Sequence, residues 1–268
     1  MVGSRHVVAS TTRLQMTVTR REALRLLVAP IGLAALGVSP LPGVQGKRIR
    51  TVGRLKILVA GGHPDDPESG CGGTIARYVD AGHDAVALYL TRGEAGIPGK
   101  THAEAATIRT AESERACAIL GATPRFFGQI DGDSHVDNAA YAAMRDLVTQ
   151  ERPDVIFTHW PVDTHPDHRA VSLLVYDAWL RSGRKAALGY FEVLTGEQTQ
   201  VFRPTDYVDI SSVALRKRDA CFAHASQKPE EWYPVHERMS RFRGMEHGCE
   251  QAEAFVRHDQ GPELPLPS

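Results

Sequence analysis

Two short clusters of histidine and aspartate contain the residue types of a catalytic metal site. His63, Asp65 and Asp66 lie in one short run, and His165 and His168 lie in a second run much later in the chain. A catalytic zinc site needs three protein ligands and a fourth position for water, and imidazole and carboxylate groups are suitable ligands. The clusters together predict a metal hydrolase in which His63, Asp66 and His168 hold the metal.

The positions of the two clusters favour this interpretation over a structural one. Taken singly, either cluster is also typical of loop histidines and helix-capping aspartates. Both clusters, however, follow an apolar strand-like run, over 55–60 and 154–158, and both precede a helical pattern. In open α/β sheets, ligands bind outside the carboxyl ends of the strands, so two strands of one sheet could bring the clusters together.

The same motifs resemble the PIG-L or LmbE-like family of zinc-dependent de-N-acetylases. Members of that family have His-Pro-Asp-Asp-Glu after the first strand, a glycine-rich helix start and a later His-Pro-Asp-His. The corresponding segments here are 63–74 and 158–168. Segments 90–96 and 220–227 also look like family segments, so the resemblance covers roughly residues 54–255.

The resemblance implies roles for other residues of the clusters. Asp65 would be the general base that takes a proton from water and later gives it to the leaving amine, although a helix cap is the structural alternative. From its position at the start of the helix that follows the second cluster, His165 could stabilise the oxyanion, with Asp167 orienting a histidine. Pro67 stands where the family has glutamate, so any role of that carboxylate is lost or passes to Glu68.

Several loop residues are candidates for substrate binding. Arg92, Glu94 and Asp131 lie in polar loops expected at the same edge of the sheet, where they could bind sugar hydroxyls. Each could equally be a solvated loop charge. His224 and Gln227 give a weaker signal, because a helical histidine beside apolar neighbours is usually structural.

The expected activity is zinc-dependent hydrolysis of an N-acetyl or other N-acyl group from an amino sugar or related conjugate. Fe²⁺ or Co²⁺ could occupy the same nitrogen and oxygen ligands. One alternative is a zinc-dependent hydratase of an unsaturated dicarboxylic acid on the same scaffold. That reaction would require cationic side chains near the metal, for which Arg92 and Arg169 are the local candidates. The other is a non-catalytic exported carbohydrate-binding module.

Strand-like and helical segments alternate along the chain. These strands and helices must hold the two histidine and aspartate clusters in position. Strands are predicted at 55–60, 85–91, 124–127, 154–158 and 188–193, and helices at 68–81, 103–120, 139–151 and 167–181. Such alternation predicts an α/β fold, a Rossmann-like three-layer sandwich with a mostly parallel sheet. After an apolar run at 206–210, helices are expected near 212–226 and 234–255, followed by a loose proline-rich tail.

Composition limits the possible partners. The chain has 268 residues, 42% of them hydrophobic, and is interpreted as an N-terminal extension over 1–47 and one catalytic domain over 48–268. A formal net charge of −1, without a basic run interleaved with aromatics, argues against nucleic acid and favours a small polar substrate. The glycines at 70–73 lack the third glycine of a dinucleotide-binding fingerprint, so no nucleotide cofactor is expected.

The N-terminal extension has the pattern of a signal peptide. A basic region containing Arg20 and Arg21 precedes an apolar stretch over 26–38 and a turn-forming segment over 39–43. This order predicts export to the periplasm or beyond, and the arginine pair indicates the twin-arginine (Tat) type. A permanent membrane anchor is not expected, because a span needs about 18 apolar residues. An amphipathic helix is the alternative.

The cysteines do not suggest a structural zinc site. Cys71, Cys117, Cys221 and Cys249 form no CxxC pair. An oxidising compartment would permit disulfides, but the sequence does not choose a pairing. Cys71, between two glycines, is interpreted as a small residue in close packing.

Overall fold

The computed structural model describes residues 53–194 and 198–267, so the predicted signal peptide lies outside the described residues. The strands are β1 Lys56–Gly61, β2 Asp84–Thr91, β3 Thr123–Gln129, β4 Val155–His159, β5 Ala187–Phe191, β6 Asp206–Asp209 and β7 Ala252–Arg257. The α-helices are α1 Asp66–Asp80, α2 His102–Leu120, α3 Asn138–Glu151, α4 Pro166–Arg181, α5 Ala214–Phe222 and α6 Pro229–His247. Short 3₁₀ turns at Ser211–Val213 and Ala225–Gln227 flank α5, so the helix predicted near 212–226 is present but shorter.

The strands form one seven-stranded sheet in the order β3-β2-β1-β4-β5-β7-β6. The first five strands of that order are parallel, and β7 runs antiparallel to both β5 and β6. The prediction of an α/β fold with a mostly parallel sheet is confirmed. The chain proceeds outwards from β1 to β3 on one side and from β4 to β5 on the other. The carboxyl ends of β1 and β4 therefore border a crevice of the kind that binds ligands.

The central strands are covered on both faces. Along β1, Ile57 packs in the same core cluster as Ile75 of α1, whereas Leu58 packs in the opposite cluster with Leu174 of α4. Successive strand residues point to opposite faces, so a continuous apolar run fills both cores. These two layers of helices hold the carboxyl ends of the strands in fixed positions.

The structure corrects the helix predicted over 234–255. Helix α6 ends at His247 because Gly248 takes a left-handed conformation with φ of 88°, as glycines that terminate helices often do. The chain then enters β7, which inserts between β5 and β6. The predicted helix extended past this glycine and included the first residues of β7, so the strand was not recognised.

The proline-rich tail is also not loose as predicted. Leu264 is only 8% exposed and belongs to the core cluster beneath α1. It fits there because Gly189 on β5 has no side chain, and a Cβ at that position would lie 3.3 Å from Leu264. The tail therefore covers part of the sheet.

The described residues contain no helix long and apolar enough to cross a membrane. Their four cysteines are free thiols, and those at 71, 117 and 221 are buried. Burial raises the pKa of Cys71 well above its usual value. These three cysteines are small core side chains, as expected for Cys71.

Candidate metal centre and active site

The fold brings the two predicted clusters together. The first cluster follows β1 directly, and the second lies just before and within the first turn of α4, soon after β4. Since β1 and β4 are parallel neighbours, both clusters emerge at the same edge of the sheet. Gly62 allows their close approach, because a Cβ there would lie 2.9 Å from the His168 ring.

Three predicted ligands form a compact triangle of donor atoms. His63 Nδ1 lies 3.3 Å from Asp66 Oδ2, His168 Nε2 lies 3.2 Å from the same oxygen, and the two nitrogens are 3.3 Å apart. Two ligands held about 2.0–2.1 Å from a tetrahedral zinc ion stand about 3.3–3.4 Å apart. The residues present therefore fit one face of such a site, and all three are at most 8% exposed.

Carboxylates orient both histidines from behind. His63 Nε2 is 3.0 Å from Asp167 Oδ2 and 3.3 Å from Asp131 Oδ1, and His168 Nδ1 is 3.1 Å from Asp163 Oδ2. A carboxylate that accepts the outer N–H of an imidazole leaves the inner nitrogen free to bind a metal. Asp167 thus orients a histidine as predicted. Asp131, expected to contact substrate, also faces His63.

Asp65 stands beside the triangle in an unusual backbone conformation. It caps α1 with φ of 109°, a left-handed value that costs a residue with a side chain about 1–3 kcal/mol. Its Oδ2 accepts a hydrogen bond of 2.9 Å from Arg109 Nη2, and the same guanidinium group donates to the Pro64 carbonyl. Burial, only partly opposed by the charge of Arg109, raises the pKa of Asp65 to about 6. A carboxyl group of that pKa can both accept and release a proton near neutral pH.

Arg109 was not predicted from the sequence. It lies on α2 and is 3% exposed. It reaches Asp65 past Gly93 and Gly96, where a Cβ on either glycine would overlap the guanidinium group. The signal that could have identified it is a charged residue on the buried side of α2, which it shares with Ala105 and Ala116.

His159 is the second site residue that the sequence analysis missed. It ends β4, is fully buried, and places Nε2 3.2 Å from Asp66 Oδ2. Its ring stacks on His168 with 3.9 Å between ring centroids. Burial and the neighbouring His168 lower the pKa of His159 to about 4, so the ring is neutral. A histidine at the end of a buried strand at the site edge is the signal that could have identified it.

His165 lies beside His63 and His168 at the edge of the donor triangle. Its Nδ1 accepts a hydrogen bond of 3.3 Å from the backbone N–H of Asp167, and its ring centroid is 4.5 Å from that of His63. Donor atoms of His63, His165 and His168 all lie within 4.8 Å of one another. Burial and the two other histidines lower the pKa of His165, which favours the neutral ring.

The other predicted substrate residues have partners within the protein. Glu94 is buried, and its Oε2 accepts hydrogen bonds from the backbone N–H groups of Arg92 and Asp131 at 3.1 and 3.2 Å. Arg92 donates to Thr110 at 2.9 Å and lies over the Phe126 ring, 4.3 Å from its centroid. Of the three candidates, Asp131 alone lines the cavity described next.

Two cavities meet at this centre, and Asp65 and Gln227 line both. The first, which we call the polar cavity, has a volume of about 340 Å³ and is bordered by His63, Asp65, Arg109, Asp131, His165 and Gln227. The second, which we call the side cavity, has a volume of about 200 Å³. It is bordered on one side by Asp65, Asp66, Ser69 and His168, and on the other by Val193, Leu194, Gln198, Gln227, Trp232 and His236. Asp65 thus faces two spaces of different character.

The chain is similar to known proteins over most of its length. A family model described as PIG-L: GlcNAc-PI de-N-acetylase matches residues 58–179. Diacetylchitobiose deacetylase of Thermococcus kodakarensis is 30% identical over 75% of this chain and 82% of that protein. The 4-oxalmesaconate hydratase of Pseudomonas putida is 25% identical over 76% of this chain and 86% of that protein. The crystal structure of the conserved protein TT1542 from Thermus thermophilus has a TM-score of 0.67 and 31% identity, covering 80% of this chain and 96% of that one.

Proposed function

This chain belongs to the PIG-L family, whose related proteins are LmbE-like deacetylases, and on that premise we propose that it is a zinc-dependent N-deacetylase. It would remove an acetyl or related acyl group from an amino sugar or similar conjugate and release a carboxylic acid and a free amine. The observation that carries the proposal is the triangle of His63, Asp66 and His168 beside Asp65, a carboxyl group that accepts a hydrogen bond from Arg109.

The chemistry of the donor set supports zinc. Two imidazoles and one carboxylate are a common zinc ligand set, although Fe²⁺ and Co²⁺ also accept such donors. When bound to these three side chains, the metal polarises the amide carbonyl and lowers the pKa of a water molecule towards about 7.

Asp65 and His165 would move and stabilise charge during the reaction. Asp65, held by Arg109, takes the proton from the attacking water and then delivers it to the leaving amine. Because the Nδ1 of His165 accepts a backbone N–H, the ring proton resides on Nε2. That N–H is available to donate to the carbonyl oxygen as negative charge develops on it.

A sugar suits the polar cavity. Asp65, Asp131 and His165 place charged and neutral polar groups around about 340 Å³, enough for a sugar ring. The Thermococcus relative is named for diacetylchitobiose, a small N-acetylated sugar, which supports the same substrate class for this chain.

The hydratase alternative gains less support from the site, even though one relative is a hydratase. An unsaturated dicarboxylate requires free cationic groups near the metal. Arg92 lies over Phe126, and Arg169 donates to the backbone carbonyls of Asp163 and Thr164. Arg109 does line the polar cavity, but it is already paired with Asp65.

The deciding experiment measures acetate and free amine released from N-acetylglucosamine derivatives by the zinc-loaded protein. We expect release that stops when a chelator is added and resumes when zinc is restored. Water addition to an enoic acid, with no acetate released from any N-acetyl sugar, would contradict the proposal.

We further propose that the protein is exported through the twin-arginine route. The proposal rests on the order of basic, apolar and turn-forming segments in residues 1–47.

A further inference from the structure

The side cavity has an apolar wall that the polar cavity lacks. Val193, Leu194 and Trp232 form this wall, and all three follow the part of the chain that matches the family model. Trp232 lies near the start of α6, and its indole N–H donates to the Gln227 carbonyl at 3.0 Å. This bond fixes the ring, which borders the side cavity.

Three polar side chains around the side cavity already donate hydrogen bonds within the protein. Ser69 donates to the Asp66 carbonyl, Gln198 to Asp163, and Gln227 to the Gly96 carbonyl, over distances of 3.2 to 3.3 Å. His236 is 5% exposed and its ring packs edge-on against Trp232. Burial and the charge of Lys217 lower the pKa of His236 to about 3, so it is uncharged. The side cavity therefore offers few hydrogen bonds to a hydroxylated ligand.

The two cavities therefore match the two halves of an N-acyl amino sugar. A sugar ring requires hydrogen-bond partners, and polar groups of Asp65, Asp131 and His165 border the polar cavity. An acyl chain requires apolar contact, which the side cavity provides. Because Asp65 lines both cavities, an amide bond at the metal centre would have its amine side in one and its acyl side in the other.

We propose that the side cavity is the acyl subsite and that it accepts acyl groups longer than acetyl. This inference rests on the proposed amide hydrolase function and specifies its substrate class. A cavity of about 200 Å³ has room for about six groups of the size of a water molecule, and an acetyl methyl group fills about one of them. Butyryl and hexanoyl chains would fill the space along Val193 and Trp232.

The test compares N-acetyl-, N-butyryl- and N-hexanoylglucosamine as substrates of the zinc-loaded full chain. Burying one methylene stabilises a complex enough to raise kcat/KM by about fourfold, and we expect this gain per added methylene until the cavity is full. Calorimetric binding of the same three compounds to the Asp65→Asn variant gives a second readout that does not depend on turnover. We expect the dissociation constants to fall in the same order.

Substitutions locate the effect in the side cavity. Trp232→Ala removes the apolar wall and should reduce the gain to less than about twofold per methylene. Phe242→Ala is the matched control, because this aromatic residue lies on the same helix but is 50% exposed and borders neither cavity. It should retain the full gain.

Different failures have different meanings. If the N-acetyl compound is hydrolysed but kcat/KM falls with each methylene, the acyl subsite is wrong and the proposed function stands. An equal loss on all three substrates in Trp232→Ala would assign that residue a purely structural role and also overturn the subsite. If no amide of any length is hydrolysed with zinc present, the proposed function fails and the subsite fails with it.

Discussion

At the scale of single residues, the central feature is that two adjacent aspartates point in different directions and contact different groups. Asp66 turns into the donor triangle, whereas Asp65, at φ of 109°, is turned towards Arg109 and both cavities. The left-handed conformation separates them, so one is placed to bind a metal while its neighbour remains free to exchange protons.

This separation makes the role of Asp65 testable. Asp65→Asn keeps the shape of the side chain but removes its basicity, so we expect kcat to fall by about 10²–10⁴-fold while zinc stays bound. His63→Ala should instead lose the metal. Zinc content by elemental analysis and acetate release distinguish these outcomes. Asp133→Asn, in an exposed loop, is the control that should change neither quantity.

A second prediction concerns Asp167, which lies behind the proposed metal ligand His63. Asp167 Oδ2 lies 3.0 Å from His63 Nε2 and also accepts the Gly132 backbone N–H at 2.8 Å. Asp167→Asn should weaken zinc binding by about 10–100-fold, because the amide orients the imidazole less strongly. Competition with a chromogenic chelator measures the affinity. Unchanged zinc affinity in the folded variant would show that His63 does not depend on Asp167 for its orientation.

At the scale of elements, the sequence predicted the parallel part of the sheet and missed its antiparallel edge. Alternating apolar runs and helical stripes are local signals, and they identified β1 to β5 with their intervening helices. Strand β7 follows α6 after a short turn that begins at Gly248, and its pairing with β5 and β6 is a long-range property. The spacing of apolar residues within a short segment does not predict which distant strands will pair.

The site shows the same limit of local information. His63, Asp66 and His168 lie next to strand ends in recognisable motifs, and the structure places them together. Arg109 reaches Asp65 from a different helix, and only the packing of α2 against the glycines at 93 and 96 determines that contact. The predicted contact residues Arg92 and Glu94 lie in the expected loops, but their side chains bind within the protein.

Helix α1 supplies a prediction about packing. A Cβ on Gly73 would lie 2.5 Å from Ile210, whereas one on the adjacent Gly72 would lie 3.3 Å from the flexible Lys217 chain. Gly73→Ala should therefore destabilise the fold by about 1–3 kcal/mol through overpacking. Gly72→Ala is the matched control. It should be near neutral or stabilising, since alanine favours a helix over glycine by about 1 kcal/mol.

Urea unfolding of the two variants measures this difference. Equal stabilities would show that the glycine run is not required for close packing of α1. If Gly73→Ala folds, its zinc affinity would show whether a shift of α1 disturbs the donor triangle, because Asp66 is the first residue of that helix.

At the scale of the whole molecule, the described residues form a fold that needs no oxidation to become complete. All four cysteines are free thiols, and three of them are buried. A chain of this kind can reach its native state in a reducing compartment. Such folding before transport is compatible with a route that carries folded proteins, which the arginine pair of the N-terminal extension indicates.

Export can be tested with the N-terminal extension alone. Residues 1–47 fused to a reporter that is active only outside the cytoplasm should give reporter activity, because they contain the basic, apolar and turn-forming segments in order. The double substitution Arg20→Lys, Arg21→Lys preserves charge but removes the guanidinium pair, so it should abolish transport by the twin-arginine route. Arg13→Lys, outside the pair, is the control and should leave export intact. Continued export of the double variant would exclude that route, and an inactive fusion with the natural sequence would exclude a signal peptide altogether.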